Sequence, residues 1–186
     1  MLSRLDLRGF SGDLREALSR PEPGGDEPLV TVREIIESVR RDGDSSLRTL
    51  TERFDGCVIE NIRVPPADVD RALASAAPAF REALEFSRDQ ITSYHRGQLG
   101  DERAHKREGI TVSEIIRPVG RAGLYVPGGR AAYPSTVLMC AIPAQVAGVS
   151  EIALCVPPDS DGSVPQSTLA AAALVGIDEV YRVGGA

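Results

Sequence analysis

The spacing of hydrophobic positions divides this chain into two parts that meet near residues 117–123. Before that point, apolar side chains recur at helical intervals, as they do in a long predicted helix from Pro78 to about Gln98. Beyond Gly123, short and wholly apolar runs alternate with alanine-rich segments, which is typical of a buried parallel sheet with crossover helices. The pattern therefore predicts a mainly helical N-terminal region followed by an α/β unit.

Shorter helices are predicted ahead of the long one. Thr31-Val32-Arg33-Glu34 has the spacing of a capping box, so a helix should begin there and end at Gly43. A second helix should end at Asp55-Gly56, and a third should run from Pro66 to about Ala76. Ile59, Ile62 and Val64 indicate a short strand at residues 59–64, and residues 110–119 have enough β-branched and alternating positions for another.

The alternation of apolar runs and alanine-rich segments in residues 123–186 predicts the order β-α-β-α-β. Each crossover is long enough for a parallel connection, so these elements should wind into one mononucleotide-binding half. The fold class is therefore α/β, a helical N-terminal region (residues 1–122) followed by an incomplete Rossmann-like parallel βαβαβ unit (residues 123–186). The predicted elements are a strand at 123–126, a helix at 135–148, a strand at 151–156, a helix at 165–175 and a strand at 179–183.

Charge and composition narrow the class of protein. A net charge of -6, with scattered arginines, argues against a nucleic-acid-binding surface. No apolar run approaches the about 18 residues of a membrane span, and residues 1–10 lack the apolar core of a signal peptide. We therefore expect a cytoplasmic protein. The wide spacing of Cys57, Cys140 and Cys155 favours reduced thiols over disulfides or a zinc knuckle.

The strongest local feature is the run from Gly123 to Arg130, GLYVPGGR, which leads from a predicted strand to the helix that should begin at Ser135-Thr136. Glycines at the carboxyl end of such a strand let the backbone approach a phosphate, and a helix N-terminus favours anions. The run is not a GxGxxG fingerprint. The alternative is a plain Pro-Gly-Gly turn, with Ser135 or Thr136 serving only as the helix cap.

Two tyrosines near this loop are open to two interpretations. Tyr125 should lie at the end of the strand, where its ring could stack on a base or sugar, but a core aromatic residue would fit the same pattern. Tyr133 has the same two alternatives.

No other side chain indicates a catalytic or metal site in this chain. His95 and His105 have no metal-ligand partner three or four residues away, so His95 should pack at a helix surface and His105 should be solvated. Cys140 lies among apolar residues, which favours an inert thiol, and no Ser or Cys has a triad setting. We therefore assign no catalytic residue and no metal ligand.

These residues resemble a known family, histidinol dehydrogenase. The resemblance is strongest from residue 117 to residue 149 and again from Glu179 to Ala186, where the chain reads EVYRVGGA. Weaker similarity includes Arg53-Phe54-Asp55-Gly56 and Tyr94-His95 with Gln98. The matched runs in the strongest part are Arg117-Pro118, GLYVPGG at residues 123–129, STVLM at residues 135–139 and AIPAQVAGV at residues 141–149.

The resemblance implies a fold and an activity. The fold would be that of the aldehyde/histidinol dehydrogenase-like Rossmann domains, and the protein would be a cytosolic, zinc-dependent homodimer that oxidises L-histidinol to L-histidine in two NAD-linked steps through an aldehyde. Of the family's functional residues, only the NAD-contacting tyrosine is carried over, to Tyr125. The family's zinc ligands, substrate-binding residues and Glu-His acid–base pair would all follow Ala186, so none is assigned here.

Three accounts of the chain remain open. The first is the N-terminal part of the enzyme, which alone should produce no NADH from histidinol. The second is a non-catalytic NAD-binding or interaction module, either a split subunit or a remnant. The third is that the reading frame continues beyond Ala186, beginning with a glutamine that contacts NAD in the family. Whether this chain folds, dimerises or binds NAD alone is left open by the residues.

Overall fold

The computed structural model describes residues 6–14, 27–100, 103–128 and 131–185. Residues 38–186 group into one compact unit and the residues before Ser38 into another. The described helices and strands, in chain order, are α1 (Glu27–Asp42), α2 (Asp44–Asp55), α3 (Pro66–Ala74), α4 (Pro78–Arg96), β1 (Arg103–Arg107), β2 (Ile110–Glu114), β3 (Arg121–Tyr125), α5 (Pro134–Val146), β4 (Glu151–Val156), α6 (Gln166–Leu174) and β5 (Val180–Arg182).

Helix α1 begins earlier than its capping-box pattern predicts. It starts at Glu27, so Thr31 lies in its second turn, and the prediction of a cap at Thr31 is wrong. Pro28 supplies the physical reason, because its fixed φ and missing N–H suit the first turn of a helix. The predicted end is confirmed, since Gly43 follows the helix with a φ of 58°.

Helices α2, α3 and α4 lie close to their predicted positions. α2 ends at Asp55, and Gly56 adopts the left-handed conformation with a φ of 67°, donating its N–H to the carbonyl of Glu52. α3 and α4 each carry proline in the first turn, at Pro66 and Pro78. Proline is favoured there, which fixes where both helices start.

The parallel βαβαβ unit is confirmed. Strands β3, β4 and β5 form a three-stranded sheet in that order, with both pairs parallel. Leu154 at the centre and Val180 at the edge are fully buried on the face that the helices cover. The core on this face also draws on α3 through Val69 and on α4 through Leu84, so both parts of the sequence share it. Burial of this apolar surface is the main stabilising contribution.

The opposite face of the sheet is covered only in part. Cys155 and Tyr181 lie on it and pack against a second cluster formed by Cys57, Ile59, Ile62 and Val183. Residues 59–64, here named the edge segment, form no continuous strand, so that prediction is only partly right. They meet β5 through a single antiparallel bridge between Arg63 and Tyr181, with Val64 donating its N–H to the carbonyl of Val180 at 2.8 Å.

Strands β1 and β2 form a separate antiparallel hairpin. The turn lies at Gly109, which has a φ of 75° and so a conformation that suits glycine. β2 ends at Glu114, five residues before the predicted end of the strand at residue 119. β1 was not predicted, because its sequence RAHKR is charged, and every residue of both strands is exposed.

None of the helices in the described ranges is long and apolar enough to cross a membrane.

Candidate functional site

A cleft of about 550 Å³ lies at the carboxyl edge of the parallel sheet. Each strand contributes residues at or after its carboxyl end: Tyr125 and Gly128 from β3, residues 157–160 from β4, and Gly184 with Gly185 from β5. Phe54 and Asp55, at the end of α2, form the remaining wall. In open α/β sheets ligands bind at this edge, and the volume lies within the roughly 300–1,000 Å³ of small-molecule sites.

Tyr125 is half-exposed at the mouth of this cleft, at 53% of its surface. The alternative of a core aromatic residue is therefore wrong. The neighbouring Val126 is fully buried and donates its N–H to the carbonyl of Cys155 at 3.0 Å, which fixes the backbone that carries the ring. An exposed ring on a fixed backbone can stack on a planar group, and its hydroxyl can form a hydrogen bond.

The glycines of the cleft allow the chain to approach its neighbours closely. A Cβ placed on Gly184 would lie 2.6 Å from Cβ of Pro157, and one on Gly185 would lie 2.5 Å from Cβ of Phe54. A Cβ placed on Gly128 would lie 3.1 Å from Cβ of Pro157. The backbone after β5 is therefore held between the loop after β4 and the end of α2.

Asp55 has an unusual environment for a carboxylate. Burial raises its pKa, and the nearby backbone N–H of Gly185 opposes that rise. Its Oδ2 is buried and has no hydrogen-bond partner. Sequence reasoning found no tuned carboxylate, and Asp55 is one that it missed. The resemblance run Arg53-Phe54-Asp55-Gly56 was the signal that could have found it.

The helix that follows the Pro-Gly-Gly run begins one residue before its predicted start. Gly129 and Arg130, at the tip of the predicted phosphate loop, lie outside the described residues. α5 begins at Pro134, with Tyr133 as its N-cap residue and no side-chain cap bond, so neither Ser135 nor Thr136 is the cap. Tyr133 is 39% exposed. The proposed role of this helix N-terminus in anion binding stays a prediction.

A second, larger depression of about 930 Å³ lies beside the edge segment and β5. Three arginines line it, but Arg48 donates to the carbonyl of Glu60, and Arg182 donates to the carbonyls of Asn61 and Arg63. These bonds are structural. Cys155 also lines it, and burial raises the pKa of its thiol, so it is a poor nucleophile at neutral pH.

The histidines behave as their patterns indicate. Nδ1 of His95 lies 2.6 Å from Oε1 of Gln98, and its ring meets Tyr94 edge-on at 5.2 Å. His105 lies in exposed β1. All three cysteines are free thiols, although Cys140 is half-buried and Met139 beside it is exposed. In the parts of the chain that the structure describes, no three His, Cys, Asp or Glu side chains are grouped to hold a metal ion.

Comparison with known proteins gives consistent matches. The family model described as histidinol dehydrogenase matches residues 18–186. Histidinol dehydrogenase from Methanothermobacter thermautotrophicus is 43% identical over 186 residues, which cover 100% of this chain and 43% of that relative. The enzyme of the same name from Thermobifida fusca is 46% identical over 189 residues, again covering 100% of this chain and 43% of the relative.

A solved structure agrees with the sequence matches. The crystal structure of histidinol dehydrogenase from Elizabethkingia anophelis superimposes with a TM-score of 0.82 at 31% identity, covering 91% of this chain and 40% of that one. The chain therefore spans about two fifths of the length of these relatives.

Proposed function

The chain belongs to the histidinol dehydrogenase family, and from that premise we propose that it forms the NAD-binding front part of an oxidoreductase that converts L-histidinol to L-histidine. The reaction would proceed in two NAD-linked steps through histidinaldehyde. The cytosol as its compartment and a homodimer as its assembly belong to the same proposal, since both rest on the family resemblance.

The observation that carries this proposal is the position of Tyr125. Its exposed ring lies at the carboxyl edge of a parallel sheet, in a cleft whose other walls combine proline rings and glycine backbone with the side chains of Phe54, Asp55, Asp159 and Ser160. Such walls suit a flat, partly apolar ligand that bears hydroxyl groups. The residues present therefore fit a dinucleotide, with Tyr125 as the contact that we assign.

NAD would supply the hydride acceptor for both oxidation steps. The chain's own contribution is to bind and orient the dinucleotide. Buried Val126 holds the backbone that carries Tyr125, and the loop after β4 is held by paired hydrogen bonds, with Asp159 donating its N–H to Ser163 and accepting one from Gly162. A cleft whose walls are fixed before the ligand arrives loses less entropy on binding.

Residues 1–186 are not assigned the chemical steps. The zinc ion implied by the family has no grouped ligands among the described residues, and no acid–base pair is assigned in this chain. We therefore derive no metal-dependent step and no proton transfer from it. We expect the chain alone to form no NADH from histidinol, with or without added zinc, and zinc-dependent turnover by the pure chain would contradict this.

NAD binding can be tested on the 186-residue chain by NMR. Titration with NAD should shift the amides of residues 125–128, 157–160 and 184–185, and Tyr125→Ala should weaken binding roughly tenfold because the ring contact is lost. Tyr94→Ala is the matched control, since Tyr94 is exposed and lies outside the cleft. A titration that moves none of these amides would reject the proposed site.

A further inference from the structure

We propose that the outward face of helix α4 binds a second copy of this chain, so that two α4 helices pack antiparallel across a two-fold axis near Gln90. The inference goes beyond the proposed function and does not depend on it, because the residues that line the nucleotide cleft lie outside α4. A chain that failed to bind NAD could still associate through this face.

Helix α4 carries apolar side chains on two opposite faces. The inner face packs on the core through Phe80, Leu84 and Ile91. On the opposite face Phe86 and Tyr94 are each 67% exposed. Large apolar side chains aligned along one exposed helix face mark contact surfaces. We name this face the outer stripe, which consists of exposed residues at helical spacing: Ala83, Phe86, Gln90, Tyr94 and Gly97.

The outer stripe has the same order of residue sizes in both directions from Gln90. Phe86 and Tyr94 stand four residues on either side of it, and Ala83 and Gly97 stand seven residues on either side. In a two-fold contact, residue i meets residue j and j meets i. An antiparallel pair centred on Gln90 therefore sets each Phe86 ring against a Tyr94 ring of the other copy. Each Ala83 then meets a Gly97, so the helices can approach closely.

The charges beside the outer stripe are complementary under the same symmetry. Glu82 lies in the second turn of α4 and Arg96 is its last residue, on the same flank of the helix, and both are exposed. Neither has an ion-pair partner in the part of the chain that the structure describes. In the antiparallel pair each Glu82 faces Arg96 of the other copy. Asp89, between them on that flank, is already paired with Arg88 at 2.9 Å.

An open depression beside Arg96 has room for the incoming carboxylate. Its volume is about 510 Å³, and it is lined by Arg88, Asp89, Thr92, Ser93 and Arg96. The hydroxyl of Ser93 can donate a hydrogen bond to a carboxylate that pairs with Arg96. A second copy therefore satisfies the apolar stripe and the two charges together, whereas an uncharged apolar surface would satisfy only the stripe.

The contact is small, so the association should be weak. A helix of 19 residues is about 28 Å long. One pair of such helices buries less than the about 1,200 Å² at which standard protein interfaces begin. We therefore expect a reversible dimer with a Kd on the order of 100 µM, so that the chain is a monomer at low micromolar concentration.

Sedimentation velocity of the 186-residue chain, from roughly 10 µM to roughly 1 mM, measures this association. Phe86→Ala should weaken it roughly tenfold, because each dimer loses two ring contacts. Val58→Ala is the matched control, since Val58 is 78% exposed and lies outside the stripe, and it should leave the dimer unchanged. A parent chain that stays monomeric throughout, or a dimer that Phe86→Ala leaves intact, would overturn the proposal.

Charge reversal tests the antiparallel pairing itself. Glu82→Arg sets like positive charges against each other at both ends of the dimer, and Arg96→Glu sets like negative charges there, so each variant alone should be mainly monomeric. An equimolar mixture of the two variants should form a heterodimer, because both ion pairs are then restored with opposite sign. If the mixture does not dimerise more strongly than either variant alone, the pairing is wrong. The amide spectra of the separate variants check that both remain folded.

Discussion

Single residues decide the shape of the cleft because part of its wall is glycine backbone. At Gly184 and Gly185 even one methyl group would overlap a neighbouring atom, since an added Cβ would lie 2.6 Å from Pro157 or 2.5 Å from Phe54. Neither glycine has a positive φ. Their role is therefore close approach and not an unusual backbone conformation, and substitution at either should act by steric displacement of the turn that they form.

Gly184→Ala should destabilise the chain by about 1 kcal/mol, because the new methyl group meets Pro157 and Asp55 and the turn must move outward. Urea unfolding measures the change. Gly123→Ala is the control: a Cβ there meets nothing within 4 Å, so stability should stay the same or rise slightly. Equal stability of both variants would show that the turn is not clamped.

The site residues differ in how far the sequence could predict them. The position of Tyr125 at the sheet edge follows from local order, since a strand leading into a Pro-Gly-Gly loop places its last side chain there, but its exposure does not, because a core aromatic residue fits the same pattern. Phe54 and Asp55 do not, because they reach the cleft only through the tertiary packing of α2 against residues more than a hundred positions later. Local periodicity carries no information on such contacts.

At the scale of elements, a charged group links the strands at the amino edge of the sheet. Arg121 on β3 donates to Oε2 of Glu151 on β4 at 2.6 Å and also to Glu179, just before β5. Arg121 donates to Oε1 of Glu179, and the hydroxyl of Tyr181 donates to that same oxygen at 2.6 Å. The carboxylate of Glu179 therefore serves two donors, and the pKa of Tyr181 is raised chiefly by this hydrogen bond.

Glu179→Gln should make the stability less dependent on pH. The hydroxyl of Tyr181, and then Arg121, hold the pKa of Glu179 below its ordinary 4.5. The ionised group therefore stabilises the fold fully above that value, and the contribution disappears as the pH falls through the lowered folded pKa. We expect the variant to be less stable by about 1 kcal/mol at pH 7, with the difference vanishing as the pH falls through the lowered pKa of Glu179.

Urea unfolding at several pH values checks this. Glu82→Gln, at an exposed position of α4, is the control and should change stability little at any pH. A difference between Glu179→Gln and the parent that persists unchanged down to the lowest pH at which the chain stays folded would mean that the charge of Glu179 contributes nothing.

The elements themselves were predicted well where one pattern dominates. β4 has its predicted bounds because its run EIALCV is bordered by polar and proline residues. The start of α1 was wrong because Pro28 competes with the capping box as a start signal. β1 was missed because an exposed strand of charged residues has no buried face to produce alternation. Pairing with β2, not hydrophobicity, defines it.

At the scale of the whole molecule, the change in sequence character near residue 122 does not divide the core. Val69 of α3 and Leu84 of α4 belong to the same buried cluster as Leu138 of α5 and the alanines of α6. The packing of α3 on α6 is the most extensive between helices in the described residues. The predicted domain boundary between residues 122 and 123 therefore stays a prediction. Because both regions contribute to one core, we expect them to fold together.

A fragment of residues 123–186 should therefore not fold by itself, because α5 and α6 would expose the apolar faces that α3 and α4 cover. A fragment of residues 38–186 should keep the dispersed amide spectrum of the whole chain, since it contains the complete compact unit. NMR spectra of the two fragments provide the comparison. A well-dispersed spectrum for residues 123–186 alone would contradict the prediction.

The pairing of the edge segment with β5 has a consequence for how the chain is made. Arg63 and Arg182, joined through a carbonyl contact, are 119 residues apart, so the edge segment leaves the ribosome long before its partner exists. At about 5–20 residues per second this delay is on the order of ten seconds. During that time Ile62 and Val64, both buried in the finished fold, have no strand to cover them. A nascent chain stalled before β5 should therefore be a substrate for chaperones that bind apolar segments, and release should follow once Val180 has emerged.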